Sequence, residues 1–127
     1  MVCLDSDILI NILRIKSDTI SKINNLQKRE ILFTTSINSF EIFNGLQKSN
    51  INNETIMAFL SNFNILDFDF TSSQKASEIF DYLKSKGQMI ELPDIMIAAT
   101  CITNKQVLLT NNKSHFERIP ELKIESI

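Results

Sequence analysis

Short apolar runs alternating with helix-periodic stretches occupy the length of the chain, and this alternation constrains the fold more than any other feature. VCL at 2–4, ILFT at 31–34, ILDF at 65–68, QVLLT at 106–110 and LKIES at 122–126 have strand character. Between them, apolar residues recur at the i, i+3, i+4, i+7 spacing of a helix face. Ile8, Ile12 and Ile15 mark a first helix that any of Asp5, Ser6 and Asp7 is able to cap, and Ile20, Ile23 and Leu26 mark a second over 19–28. Thr35-Ser36 opens a third carrying Ile37, Phe40, Phe43 and Leu46, and 53–62 forms a fourth around Ile56, Met57 and Leu60. Thr71 and the serines after it cap a fifth with Ala76, Ile79, Phe80 and Leu83, closed by Lys84, Lys86 and Gly87. Pro93 starts a sixth through DIMIAATCIT. Strands and helices in this order predict βαβ units, hence an α/β fold of three layers with a mainly parallel central sheet and helices on both faces. Two Gly, two Pro and no repeat in 127 residues predict one domain over 1–127.

Ligands of such sheets gather at the carboxyl ends of the strands. Four polar features fall there: Asp5 ends the first strand in LDSDILI, Glu41 lies early in the helix after the second, Asp94 opens the helix before QVLLT, and Asn111-Asn112 follow that strand. Each has an ordinary account. Asp5 caps a helix, worth about 1 kcal/mol; Glu41, among Phe40, Ile42 and Phe43, either snorkels at the helix edge or is held at a site. Asp94 satisfies helix N–H groups, and the asparagines make a turn. Their recurrence at one edge of one sheet is what separate caps leave unexplained. Three converging carboxylates repel one another unless a hard cation neutralises them, and Mg²⁺ or Mn²⁺ suits oxygen ligands with positions left open for phosphates.

Softer metals have no evident ligands. Cys3 and Cys101 sit in apolar stretches and read as small buried hydrophobes, and His115, the only histidine, reads as an ordinary exposed loop side chain. Thirteen Lys and Arg against fifteen Asp and Glu leave a net charge of −2. Bulk charge therefore does not announce a nucleic-acid partner, and an RNA ligand would need local basic residues or a bound cation. No uncharged run approaches the ~20 residues of a membrane helix and no basic segment leads an apolar one, so a cytoplasmic protein is expected.

Taken in order, LDSDILI, TTSINSFEIFNGL, LPDIMIAAT and LLTNNKSHFERIPELKIE resemble the PIN-domain ribonucleases, specifically the VapC-type toxins of prokaryotic toxin–antitoxin pairs. The resemblance spans nearly the whole chain. It implies a PIN-like fold, Mg²⁺- or Mn²⁺-dependent hydrolysis of RNA phosphodiester bonds to 5′-phosphate and 3′-hydroxyl ends, a homodimer, and a cognate antitoxin laid into the active-site groove. Position by position, Asp5, Glu41 and Asp94 match the family's acidic metal-binding residues. Asn112 matches its fourth position, which is Asp in many members and Asn in others. Ser6 matches the hydroxyl residue beside the first aspartate, and Thr110 opens the Thr-x-[Asn/Asp] turn; both are expected to support the ligands. Asp7 stands where the family usually has Asn, and is expected to cap the first helix rather than to add charge to the site. Lys48, Lys113 and Arg118 are candidates for contacting the RNA backbone.

Two other readings belong to different classes. Asp5-Ser6-Asp7 also resembles the Asp-x-Asp start of haloacid-dehalogenase-type phosphatases, although Leu9 stands where that family usually has Thr and no residues are assigned as its Lys and later acidic pair. A domain of the PIN fold that has lost activity and only binds a partner is the non-enzyme alternative.

Overall fold

Strands buried on both faces need apolar residues at every position rather than at alternate ones, and VCL and VLL, two strands that lie side by side within the sheet, meet that need. In the computed structural model, which describes residues 1–127, five strands form one sheet: β1 (Val2–Leu4), β2 (Leu32–Thr35), β3 (Asn64–Leu66), β4 (Val107–Leu109) and β5 (Ile124–Glu125). Their order is β3-β2-β1-β4-β5 and every pairing is parallel. Seven helices complete the fold: α1 (Ser6–Leu13), α2 (Ser17–Gln27), α3 (Ser36–Gly45), α4 (Asn53–Leu60), α5 (Phe70–Lys86), α6 (Leu92–Thr103) and α7 (Lys113–Phe116).

The pleat sends successive side chains to opposite faces, which divides the core in two. Val2, Leu4, Leu32 and Leu109 pack with Ile8, Leu9, Ile23, Ile42, Leu46, Ile56 and Leu60 of the helices α1 to α4 and the turn after α3. Cys3 and Leu108 face the other way, against Ile79 and Leu83 of α5, Ile95, Ile97 and Cys101 of α6, and Phe116 of α7. Both cysteines are fully buried, as their apolar surroundings predict.

The expected helices all form, with three local departures. Ile15 is not on the face of α1: the Ile15 N–H bonds the Ile12 carbonyl instead of continuing the helix, and the residue takes φ 56° and lies 80% exposed. In α3 the buried stripe runs Asn38, Ile42 and then Leu46 at the C-cap, while Phe40 is 61% exposed. Ile37, Phe40, Ile42 and Phe43 surround that helix with apolar groups, so apolar spacing alone did not set its rotation. The cap of α5 is Asp69, which accepts the Ser72 N–H at 2.9 Å, rather than Thr71. Gly87 does close that helix at φ 64°, the left-handed conformation glycine adopts at least cost.

Strand order positions the site. From β1 the chain winds outward through β2 to β3, then crosses to β4 on the opposite side of β1 and on to β5. The direction of winding thus reverses between β1 and β4, and a crevice opens beyond the carboxyl ends of strands at such a switch point. Leu4 pairs with Leu109 at the end of that junction. Asp5 and Thr110 are therefore side by side where the crevice begins.

Candidate active site

Asp5 is the N-cap of α1 and is only 6% exposed. One carboxylate oxygen, Oδ1, accepts the Ser6 N–H at 2.9 Å and the Asn38 side-chain amide at 3.0 Å; the other, Oδ2, accepts the Thr110 hydroxyl at 2.7 Å. Each of these bonds favours the ionised form, yet burial outweighs them and holds the Asp5 carboxyl above the ordinary aspartate value. Desolvation of a charge is the larger effect here because only three donors replace a full water shell.

Two further elements, α3 and α6, deliver carboxylates to the same cleft. Glu41 rides on α3, where the Thr35 and Asn38 capping box fixes the first turn, and its Oε1 accepts the Ser6 hydroxyl at 2.7 Å. Asp94 lies in the first turn of α6, beside Pro93 at the second helical position. Glu91 is the N-cap of α6, but its side chain makes no capping bond. Burial, with Asp5, Asp94 and Glu91 as neighbouring charges, raises the Glu41 pKa; burial with Asp5 and Glu91 raises that of Asp94, partly opposed by His115.

Asp7 does not cap α1, because Asp5 holds that position. Its Oδ1 accepts the Ile8 N–H at 2.8 Å and its Oδ2 accepts the Asn111 N–H at 3.2 Å, so it clasps the turn after β4 to the start of α1. Burial and the nearby Asp5 charge raise its pKa as well. The same turn is held from below by Thr110, whose hydroxyl oxygen accepts the Asn112 N–H at 2.9 Å.

Asp5, Ser6, Asp7, Glu41, Glu91, Asp94, Asn112 and His115 line one cleft of about 390 Å³, with no apolar residue, lysine or arginine among them. The structure thus brings together every site residue singled out from the sequence, with Thr110 just beneath. Glu91, Asn38 and His115 are additions. His115 is not a detached loop residue: it lies on α7, 2.9 Å from the Asn112 side chain and 3.4 Å from Asp94 Oδ2 through its Nδ1. A signal for Asn38 was present, since it stands three residues after a capping threonine and three before Glu41 on one helix face.

Five carboxylates converging with no lysine or arginine, and only His115 beside Asp94, to offset them form a donor set for a hard cation. No three of the cleft's acidic or histidine side chains are gathered at ligating distance of a single point. A cation there would have one or two carboxylates as direct ligands and water for the rest, the manner in which Mg²⁺ is ordinarily held. Phosphatase chemistry through an Asp5 nucleophile fits poorly: both oxygens of Asp5 are committed to donors and no lysine lines the cleft. Of the three expected backbone-binding residues, Arg118 donates instead to the carbonyls of Gln88 and Met89, and Lys48 and Lys113 do not line the cleft.

A family model for the PIN domain matches residues 2–122. The chain is 33% identical over 109 residues to ribonuclease VapC2 of Rickettsia felis, covering 81% of each protein. It is 30% identical over 125 residues to the tRNA(fMet)-specific endonuclease VapC of Salmonella typhimurium, covering 96% of this chain and 94% of that one. In three dimensions it resembles a chain of VapBC2 from Rickettsia felis bound to a DNA fragment from its promoter, with a TM-score of 0.89, 29% identity, and coverage of 100% of this chain and 99% of that one.

Proposed function

The chain belongs to the PIN-domain family, among the VapC-type ribonucleases, and from that premise we propose that it is a divalent-metal-dependent endoribonuclease and the toxin of a toxin–antitoxin pair. The observation that carries the metal dependence is the cleft itself. Polyanionic RNA has no reason to enter a pocket of five carboxylates with no lysine or arginine unless a metal ion reverses its charge. Bound Mg²⁺ or Mn²⁺ supplies a Lewis acid at the scissile phosphate and acidifies a water for attack.

The protein's own part is positioning. Asp5, Glu41 and Asp94 would hold the cation, one or two of them directly and the rest through its water, with Asn112 at the fourth position of the set. Thr110 and Ser6 point their hydroxyl protons at Asp5 and Glu41 and so fix which oxygens face the cleft. Asp7 and Thr110 together hold the turn that carries Asn112. No side chain here is required as a nucleophile, and the products are 5′-phosphate and 3′-hydroxyl ends.

A cognate antitoxin is the protein partner, in keeping with the VapBC2 assembly that this fold matches. The working unit is a homodimer of a single PIN-like domain. No helix is long and apolar enough to cross a membrane, and the toxin acts in the cytoplasm. RNA cleavage by the partner-free protein, titrated with Mg²⁺ and Mn²⁺, tests the reading. Cutting should require metal, stop on chelation, and be lost in Asp5→Ala and Asp94→Ala. Full activity in either variant, or in excess chelator, would refute it.

A further inference from the structure

Among the residues that sequence patterns left unassigned, Asn38 has the most committed side chain. It is fully buried in the first turn of α3, and its amide has no freedom in orientation. Oδ1 accepts both the Thr35 backbone N–H at 3.3 Å and the Thr35 hydroxyl at 2.7 Å. Nδ2 then faces the other way, donating to Asp5 Oδ1 at 3.0 Å and to Ser6 Oγ at 2.8 Å. The reverse orientation would set an amide oxygen against the Asp5 carboxylate and an N–H₂ against the Thr35 N–H, so the network itself assigns the atoms.

The second of those donations has a consequence for Glu41. A hydroxyl that accepts from Asn38 has its own proton free to donate elsewhere, and Ser6 Oγ–H donates to Glu41 Oε1 at 2.7 Å. One amide group, anchored by β2's last residue, thereby sets the orientation of two carboxylates that come from different elements and lie 36 residues apart in sequence. Asp5 is reached directly and Glu41 through Ser6. Polar groups that orient metal ligands typically change metal affinity or activity by 10–100-fold when removed.

We propose that Asn38 is the positioning residue of the nuclease site, holding Asp5 and Glu41 in register with each other so that both serve one cation. This rests on the nuclease reading of the cleft. Its effect is on cation affinity and turnover, with RNA affinity left largely intact.

Asn38→Leu keeps the number and branching of heavy atoms and strips every donor and acceptor; Asn38→Ser shortens the side chain. Ile56→Ala on α4, a core truncation none of whose neighbours in α4 lines the cleft, controls for lost stability. Mn²⁺ binding to the RNA-free proteins by calorimetry should weaken tenfold or more in the Asn38 variants and stay within twofold of wild type in Ile56→Ala. In cleavage assays the Asn38 variants should lose at least tenfold in kcat with KM for RNA within about twofold. A measurement on the unaltered protein covers the case in which the variants do not fold. Titration of ¹⁵N-labelled protein with Mg²⁺ should shift the Asn38 side-chain amide, while that of Asn104, which donates to Thr100 within α6, stays in place. An unmoved Asn38 amide, or Asn38 variants that match Ile56→Ala in Mn²⁺ affinity and kcat, would overturn the positioning role. A wild-type protein that neither binds Mn²⁺ nor cuts RNA would overturn the nuclease reading beneath it.

Discussion

Thr110→Val is a demanding perturbation because it exchanges a hydroxyl for a methyl of similar size at a position with no exposure. Nothing need shift sterically, so the cost is that of the hydrogen bonds. The Thr110 hydroxyl is the only protein donor to Asp5 Oδ2, at 2.7 Å, and accepts the Asn112 N–H at 2.9 Å. A buried group left unsatisfied costs roughly 1–3 kcal/mol, and more when it is charged. Asn112 lies at the cleft and is able to recover a water, so the total comes to about 2–4 kcal/mol. Thr100→Val is the matched control: Thr100 is equally buried, but its hydroxyl only donates to the Met96 carbonyl at 2.8 Å within α6. Its loss should cost about 0.5–1 kcal/mol. The gap between the two variants is then about 1–3.5 kcal/mol, or roughly 4–13 °C in Tm for a chain of this size. Urea unfolding at pH 7.5 in chelator measures it. The Thr110 proton favours ionised Asp5, so the gap should narrow as pH falls and Asp5 takes up its proton. Variants within about 0.5 kcal/mol of each other at neutral pH would refute the assignment of Thr110 as the support beneath Asp5.

The other predictions concern charge and backbone. Asp5, Asp7, Glu41 and Asp94 all titrate above their ordinary values, so the stability they confer is fully present below the usual carboxylate range of about pH 4 and is lost as pH rises through their raised folded values. Melts in chelator should therefore show this cluster destabilising the fold toward neutrality, and Mn²⁺ should restore stability only where the carboxyls are ionised. Asp94→Asn should abolish cleavage while raising the melting temperature of the metal-free protein at neutral pH, since it deletes a charge disfavoured by burial and repelled by Asp5 and Glu91; a lowered melting temperature would contradict that origin. Gly87→Ala and Gly45→Ala should have opposite signs. A Cβ meets nothing within 4 Å at either site, but Gly87 sits at φ 64° and Gly45 in the last turn of α3. Gly87→Ala should therefore cost about 1 kcal/mol and Gly45→Ala should stabilise by up to about 1 kcal/mol in denaturant unfolding.

Asp5 was legible because a carboxylate at the end of an apolar strand has few reasons to be there, and Asp94 because it leads a helix whose next residues are almost all apolar. Parallel strands read as unbroken apolar runs, so the sheet's composition was legible too, although its order was not, since no local pattern encodes which strand lies beside β1. The rotation of α3 was hidden by phenylalanines on several sides, and with it the inward aim of Asn38. His115 and Glu91 were missed for a different reason: each is unremarkable in its own segment, and only the crossing of the chain from β3 to β4 brings α6 and α7 to Asp5. Asp7 shows the limit of local capping rules, since Asp5 and Asp7 have equal claims as caps until the neighbouring turn supplies an N–H for one of them.

The chemistry of the cut RNA ends tests the central claim most directly. Hydrolysis by a cation-assisted water at this cleft predicts 5′-phosphate and 3′-hydroxyl termini, appearing only when Mg²⁺ or Mn²⁺ is supplied. Termini of 2′,3′-cyclic phosphate and 5′-hydroxyl, formed by attack of the RNA's own 2′-oxygen, would contradict it.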